Sequence, residues 1–108
     1  MKGIKRTRSF GEHLRNLREE SGYTLKMVSE KINIDISLLA KIERNERHPS
    51  KVMIKEIANF FQVNVQELQN DILSDKIAYK ILEEEADISI LKVAEDKVKY
   101  LKTVHDGK

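Results

Sequence analysis

Between Leu25 and Ile42 the chain carries a spacing that few folds satisfy. Counting Leu25 as position 1, the apolar residues Val28, Ile32, Ile34, Leu39 and Ile42 stand at positions 4, 8, 10, 15 and 18. The small residue Ser29 stands at position 5, and Asn33, which tolerates positive φ, stands at position 9. Two helices that cross steeply through a turn of three or four residues require this set. The small residue lets the second helix approach the first, the turn residue accepts the left-handed backbone, and the five apolar positions line the inside of the corner. The outer side of the second helix is then left free, and it consists of Ile36, Ser37, Leu38, Ala40, Lys41 and Arg44.

The flanking sequence is helical as well. Phe10, Leu14 and Leu17 recur at i, i+4 and i+7, one stripe of a helix. Ser9 is placed to cap that stripe with Glu12 as the reciprocal partner, and Gly22 is placed to stop it. Thr24 caps the next helix, and Asp35 or Ser37 the third, which Asn45 ends. After the loop His48-Pro49-Ser50, Ser50 caps a fourth helix with Ile54, Ile57, Ala58 and Phe61 on one face. Asn64 caps a short fifth helix with Val65 and Leu68. Five short helices are therefore predicted over residues 9–71, joined by the short connections of a compact helical domain.

Composition narrows the function classes. A chain that is 40% hydrophobic and 35% charged reads as a soluble globular protein. No apolar run reaches the length of a membrane span, and the basic N-terminus lacks the apolar core of a secretory signal. With no Cys, disulfides, thiolate metal sites and a Cys nucleophile are excluded, which agrees with a cytoplasmic location. His13, His48 and His105 have no metal-ligand spacing, no Gly-rich phosphate loop is present, and Glu83, Glu84 and Glu85 point in different helical directions. No enzyme, metal or cofactor is therefore expected. Charge is unevenly placed: residues 1–51 hold 12 Lys/Arg against 7 Asp/Glu, and residues 52–108 hold 8 against 11. A basic front half points to a polyanionic partner.

Three segments carry a family resemblance: Phe10–Arg18 (FGEHLRNLR), Gly22-Tyr23-Thr24, and Ile42–Ser50 (IERNERHPS). Together with the helical corner they resemble the lambda-repressor-like, Cro/XRE family of helix-turn-helix DNA-binding regulators over residues 9–71. Asn33 and Asn45 stand where that family commonly has Gly, and both keep the left-handed option. Leu25 stands where it often has a Gln that reaches DNA, and a leucine cannot make that hydrogen bond. The resemblance implies an all-α, five-helix lambda-repressor-like DNA-binding domain, and a structural ion pair between Arg18 and Glu43. It also implies that the third helix enters the major groove of double-stranded DNA.

In that groove, Ser37 and Lys41 are the candidate readers of base edges. Ile36, Leu38 and Ala40 are placed to meet thymine methyl groups, unless one of them turns inward. Arg44, Asn45, Arg47 and Lys51, just beyond the helix, are candidate phosphate ligands, as are Thr24 and Lys26 at the start of the second helix. Lys2, Lys5, Arg6 and Arg8 form a basic arm over residues 1–8, either a DNA-reaching arm or a solubilising tail.

Residues 72–108 are expected to form a helical dimerisation segment. Ile77, Ile81 and Leu82 precede an acidic break, and Leu91, Ala94, Val98 and Leu101 follow at spacings 3, 4 and 3, a short heptad-like seam. The alternatives are a helix folded back on the domain, or a surface for a different chain, as in an antitoxin or coactivator-like module. A homodimer would place two recognition helices about 34 Å apart on a pseudo-palindrome. The tail Thr103–Lys108 is expected to fray.

Overall fold

The computed structural model describes residues 9–106 and contains six helices among them: α1 (Phe10–Glu20), α2 (Leu25–Ile32), α3 (Ile36–Glu43), α4 (Lys51–Phe61), α5 (Val65–Glu83) and α6 (Ile90–Asp106). The basic arm over residues 1–8 lies outside the described residues. The chain divides into two compact units between Lys76 and Ile77, within α5.

The local chemistry of the helix starts explains the first unit. Ser9 and Glu12 form a reciprocal capping box on α1. Thr24 Oγ1 accepts the Met27 N–H at 3.1 Å. Asp35 Oδ2 accepts the N–H groups of Ser37 and Leu38 at 2.9 and 3.2 Å. Ser50 and Asn64 take the amides of Met53 and Glu67 at 3.2 and 2.9 Å. Each cap satisfies amides that the helix itself leaves without a carbonyl.

The stops follow one pattern. Gly22, Asn45, Gln62 and Glu85 all have φ between 53° and 78°. Each is followed by a residue whose N–H reaches back to close a Schellman motif, such as Glu46 N–H to Lys41 C=O at 2.9 Å. Asn33 (φ 56°) makes the turn between α2 and α3.

Phe10 and Leu14 of α1, Val28 and Ile32 of α2, Ile34 of the turn that follows, Leu39 and Ile42 of α3, Ile54, Ile57 and Ala58 of α4, and Leu68 and Ile72 of α5 form one buried cluster. Leu25 packs against this cluster, which gives its apolar side chain a structural use at the start of α2. Two polar contacts fasten α1 to α5: the Phe10 N–H donates to Asp75 Oδ2 at 2.8 Å, and His13 Nδ1 lies 2.8 Å from Asp71 Oδ2. Gly11 is the point of closest approach between α1 and α3. A Cβ there would lie 2.5 Å from the Glu43 carbonyl oxygen and 2.7 Å from that of Ile42.

Two expectations are corrected. The fifth helix is not short: α5 has 19 residues, because no Gly or Pro interrupts it before the left-handed Glu85. Nor does the chain fray from Thr103, since α6 continues to Asp106.

In the second unit, α6 has no buried residue. Leu91, Val98 and Leu101 are exposed, as are Ala94, Ile77 and Leu82, while Ile81 is half-buried. No helix of the described residues is long and apolar enough to cross a membrane.

Candidate nucleic-acid interface

The inner face of α3 is fixed. Leu39 and Ile42 have 0% and 1% exposure, and Glu43 is buried beside them at 8%. Arg18 holds Glu43 through two parallel contacts, Nε to Oε2 at 2.7 Å and Nη2 to Oε1 at 3.0 Å. Its remaining nitrogen, Nη1, donates to the Tyr23 carbonyl at 3.0 Å. The hydrogen bond to Glu43 holds the Arg18 guanidinium above its ordinary range, against the opposing effect of burial. Such a fork satisfies both charges and ties the end of α1 to the end of α3.

The outer face of α3 is free. Ile36 is 43% exposed, Ser37 and Lys41 are exposed, and Ala40 is half-buried. Leu38 turns inward: it is half-buried and packs against the core, so its side chain is not a free thymine contact. The Asp35 carboxylate occupies the amides of Ser37 and Leu38 at the start of α3. At the start of α2, Thr24 takes the Met27 amide, and the amides of Leu25 and Lys26 have no carbonyl one turn back within the helix.

The cations around α3 are of two kinds. Lys41, Arg47 and Lys51 are exposed and form no salt bridge among the described residues. Lys26 is held by Glu30 at 2.8 Å. Arg44 is held by Glu46 through both Nε (2.9 Å) and Nη2 (3.2 Å). A phosphate that approaches these two basic groups competes with a carboxylate already in place.

The Asn45 side chain is engaged within the fold. Its Oδ1 accepts the Gly11 N–H at 2.9 Å and its Nδ2 donates to Ser9 Oγ at 2.8 Å. The amide is thus a latch between the end of α3 and the start of α1. Sequence reasoning captured its left-handed backbone and missed its side chain, whose partners lie 34 and 36 residues away. It also missed Glu46 and the close approach at Gly11. The only local signal for the latter was a glycine inside an apolar helical stripe.

Among the described residues, no three or more His, Asp or Glu side chains converge as a metal site. Among the described residues, a partly open hollow is lined by Tyr23, Met27, Glu30, Lys31 and Phe60.

The helix-turn-helix family HTH_3 matches residues 14–68. The transcriptional regulator ImmR of Bacillus subtilis is 33% identical over 60 residues, which are 56% of this chain and 47% of ImmR. SinR of Bacillus licheniformis is 32% identical over 62 residues, 56% of each chain. The chain therefore spans about half the length of these two relatives. Among solved structures, the restriction–modification controller protein C.AhdI of Aeromonas hydrophila matches 55% of this chain and 89% of its own, at 30% identity and TM-score 0.52. SinR in complex with DNA matches 56% of this chain and 97% of its own, at 31% identity and TM-score 0.52. A SinR/SinI complex shares the fold over 87% of this chain and 98% of that one, at 24% identity and TM-score 0.53.

Proposed function

The chain belongs to the HTH_3 helix-turn-helix family, and from that premise we propose that it is a sequence-specific regulator of transcription that reads the major groove of double-stranded DNA with α3. The observation that carries this reading is the asymmetry of α3. Its inner side is locked by burial and by the Arg18–Glu43 fork, while Ile36, Ser37 and Lys41 are exposed, and Lys41 forms no salt bridge among the described residues.

Lys41 donates to guanine O6 or N7, Ser37 bonds to a base edge, and Ile36 packs on a thymine methyl. Arg47, Lys51 and the first amides of α2 meet phosphate and set the register, with Thr24 and Lys26 beside them. The similarity to a restriction–modification controller and to SinR bound to DNA supports a regulator of repressor or controller type.

One α3 presents a small reading surface. We assign Ile77, Ile81, Leu82, Leu91, Ala94, Val98 and Leu101 to a homodimer contact that brings two copies onto a pseudo-palindromic operator. The support is the exposed 3-4-3 seam on a helix without a buried residue. Each large side chain fully buried there contributes about 1.5–3 kcal/mol against the cost of association.

Selection of bound duplexes from a random pool tests the function, followed by titration of Lys41→Ala on the selected site and on random DNA. The expected result is a two-fold-symmetric consensus and a specificity ratio that falls by roughly tenfold or more, since a good base contact is worth about 1–3 kcal/mol. A pool that yields no consensus refutes the reading.

A further inference from the structure

The end of α3 is built so that one acidic residue stands where a phosphate contact is expected. The Schellman turn fixes its position: Asn45 takes the left-handed conformation at φ 64°, its N–H returns to Ile42 C=O at 3.0 Å, and the Glu46 N–H returns to Lys41 C=O at 2.9 Å. The Asn45 latch onto Ser9 and Gly11 anchors this turn to the body of the domain. In such turns the residue in the place of Glu46 frequently makes an apolar contact with the one in the place of Lys41. Here the pair is a carboxylate and an ammonium instead.

Glu46 then takes both forked donors of Arg44. Its carboxyl is held below the usual carboxylate range, first by that hydrogen bond and then by the nearby charges of Arg44 and Lys41. A guanidinium fork fits a carboxylate and a phosphate alike, so the two compete for the same two N–H groups.

We propose that Glu46 is an internal phosphate surrogate, which competes with the DNA backbone for the forked donors of Arg44 and thereby lowers affinity for duplexes of every sequence. This rests on the reading of α3 as the DNA-binding helix and adds a setting for how tightly that helix is held. The exchange is like for like, so Arg44 adds little net affinity in the wild-type protein. The displaced carboxylate also remains beside the DNA, which cancels one positive charge at the interface. Glu46 makes its hydrogen bonds to Arg44 and acts on Lys41 through charge alone, so the main effect falls on affinity and residence on DNA and not on which bases are read.

A double-mutant cycle tests this by titrating operator and random duplexes across a salt series with the full chain, Glu46→Gln, Arg44→Gln and the pair. Both Arg44 and Glu46 side chains are more than half exposed, so folding is expected to survive, and far-UV circular dichroism verifies that. Glu46→Gln is expected to tighten both duplexes by a similar factor, roughly three- to tenfold. The slope of log K against log salt is expected to steepen by about 1. In the Arg44→Gln background most of that gain is expected to disappear.

Three outcomes overturn the proposal. They are a Glu46→Gln protein with both affinities unchanged, one that tightens only one duplex, and one that acts equally with and without Arg44, which marks a diffuse charge effect. A wild-type protein that binds no duplex at low salt overturns the DNA-binding reading itself, a result distinct from all three.

Discussion

Replacing Gly11 by alanine separates two opposite expectations for stability. Gly11 lies inside α1, where intrinsic helix preference favours alanine over glycine by about 1 kcal/mol. That preference is itself largely the reduced freedom of the unfolded chain, so it counts once. Packing opposes it. The new Cβ would lie 2.5 Å from the Glu43 carbonyl oxygen, 2.6 Å from Asn45 Oδ1 and 2.7 Å from the Ile42 carbonyl oxygen, whereas ordinary contact begins at 3.4 Å. Two of these atoms are backbone at the end of α3, so α1 must retreat by roughly 0.9 Å, an overpacking cost of about 1–3 kcal/mol. Retreat also stretches the 2.9 Å Gly11–Asn45 hydrogen bond, whose loss costs about 1 kcal/mol more and strands a half-buried amide. Both packing terms act at one contact, and the surrounding helices prevent a full escape, so destabilisation of about 2 kcal/mol is expected. For a domain of this size that lowers Tm by roughly 8–16 °C. Urea unfolding followed by far-UV circular dichroism reads it as a lower midpoint at unchanged slope. A Gly11→Ala protein as stable as wild type, or more so, shows that helix preference wins and that the α1–α3 approach is looser than described.

The Arg18–Glu43 fork is expected to behave as a buried pair. Arg18→Met leaves Glu43 uncompensated and costs about 3–5 kcal/mol, whereas Arg18→Met with Glu43→Leu recovers most of it. Urea midpoints of the three proteins check this, and a double variant no better than the single one contradicts it. In the second unit, Leu91→Asp with Leu101→Asp is expected to convert dimers to monomers, with association weakened by roughly a thousandfold or more. Sedimentation equilibrium reads the change, and dimers that persist place the interface away from α6.

The elements decided by neighbouring residues were legible in the sequence. Ser9, Thr24, Asp35, Ser50 and Asn64 cap the helices as their chemistry requires, since a cap needs only an oxygen three residues before an orphan amide. The corner from Leu25 to Ile42 was legible too, because its apolar spacing maps directly onto the buried side of α2 and α3. Gln62 and Glu85 were not, as neither residue type advertises a left-handed backbone. The extent of α5 was missed for a related reason: the boundary expected at residue 71 has no Gly, Pro or cap behind it, and the helix runs on to Glu83. At the candidate site, sequence identified which residues lie around α3 but not which are already engaged. The pairs Lys26–Glu30 and Arg44–Glu46 and the Asn45 latch depend on side-chain placement, and the latch joins residues far apart in the chain.

That difference has a consequence for how such a domain can change its target. The stability of α3 derives from Leu39, Ile42 and Glu43 on its inner side, the Asp35 cap at its start and the Asn45 turn at its end. Ser37 and Lys41 contribute to none of these, so substitution there leaves the fold nearly untouched, typically within about 0.5 kcal/mol for an exposed position. A base contact is worth several times that in discrimination. On the proposed reading, stability and sequence preference reside on opposite sides of one helix of eight residues, and exchange of the outer residues is expected to redirect the domain to a new site without rebuilding what holds it. Leu38 marks the limit of this freedom: packed against the core, it ties a position beside the reading face to the fold, and polar replacements there would sacrifice stability along with any altered contact.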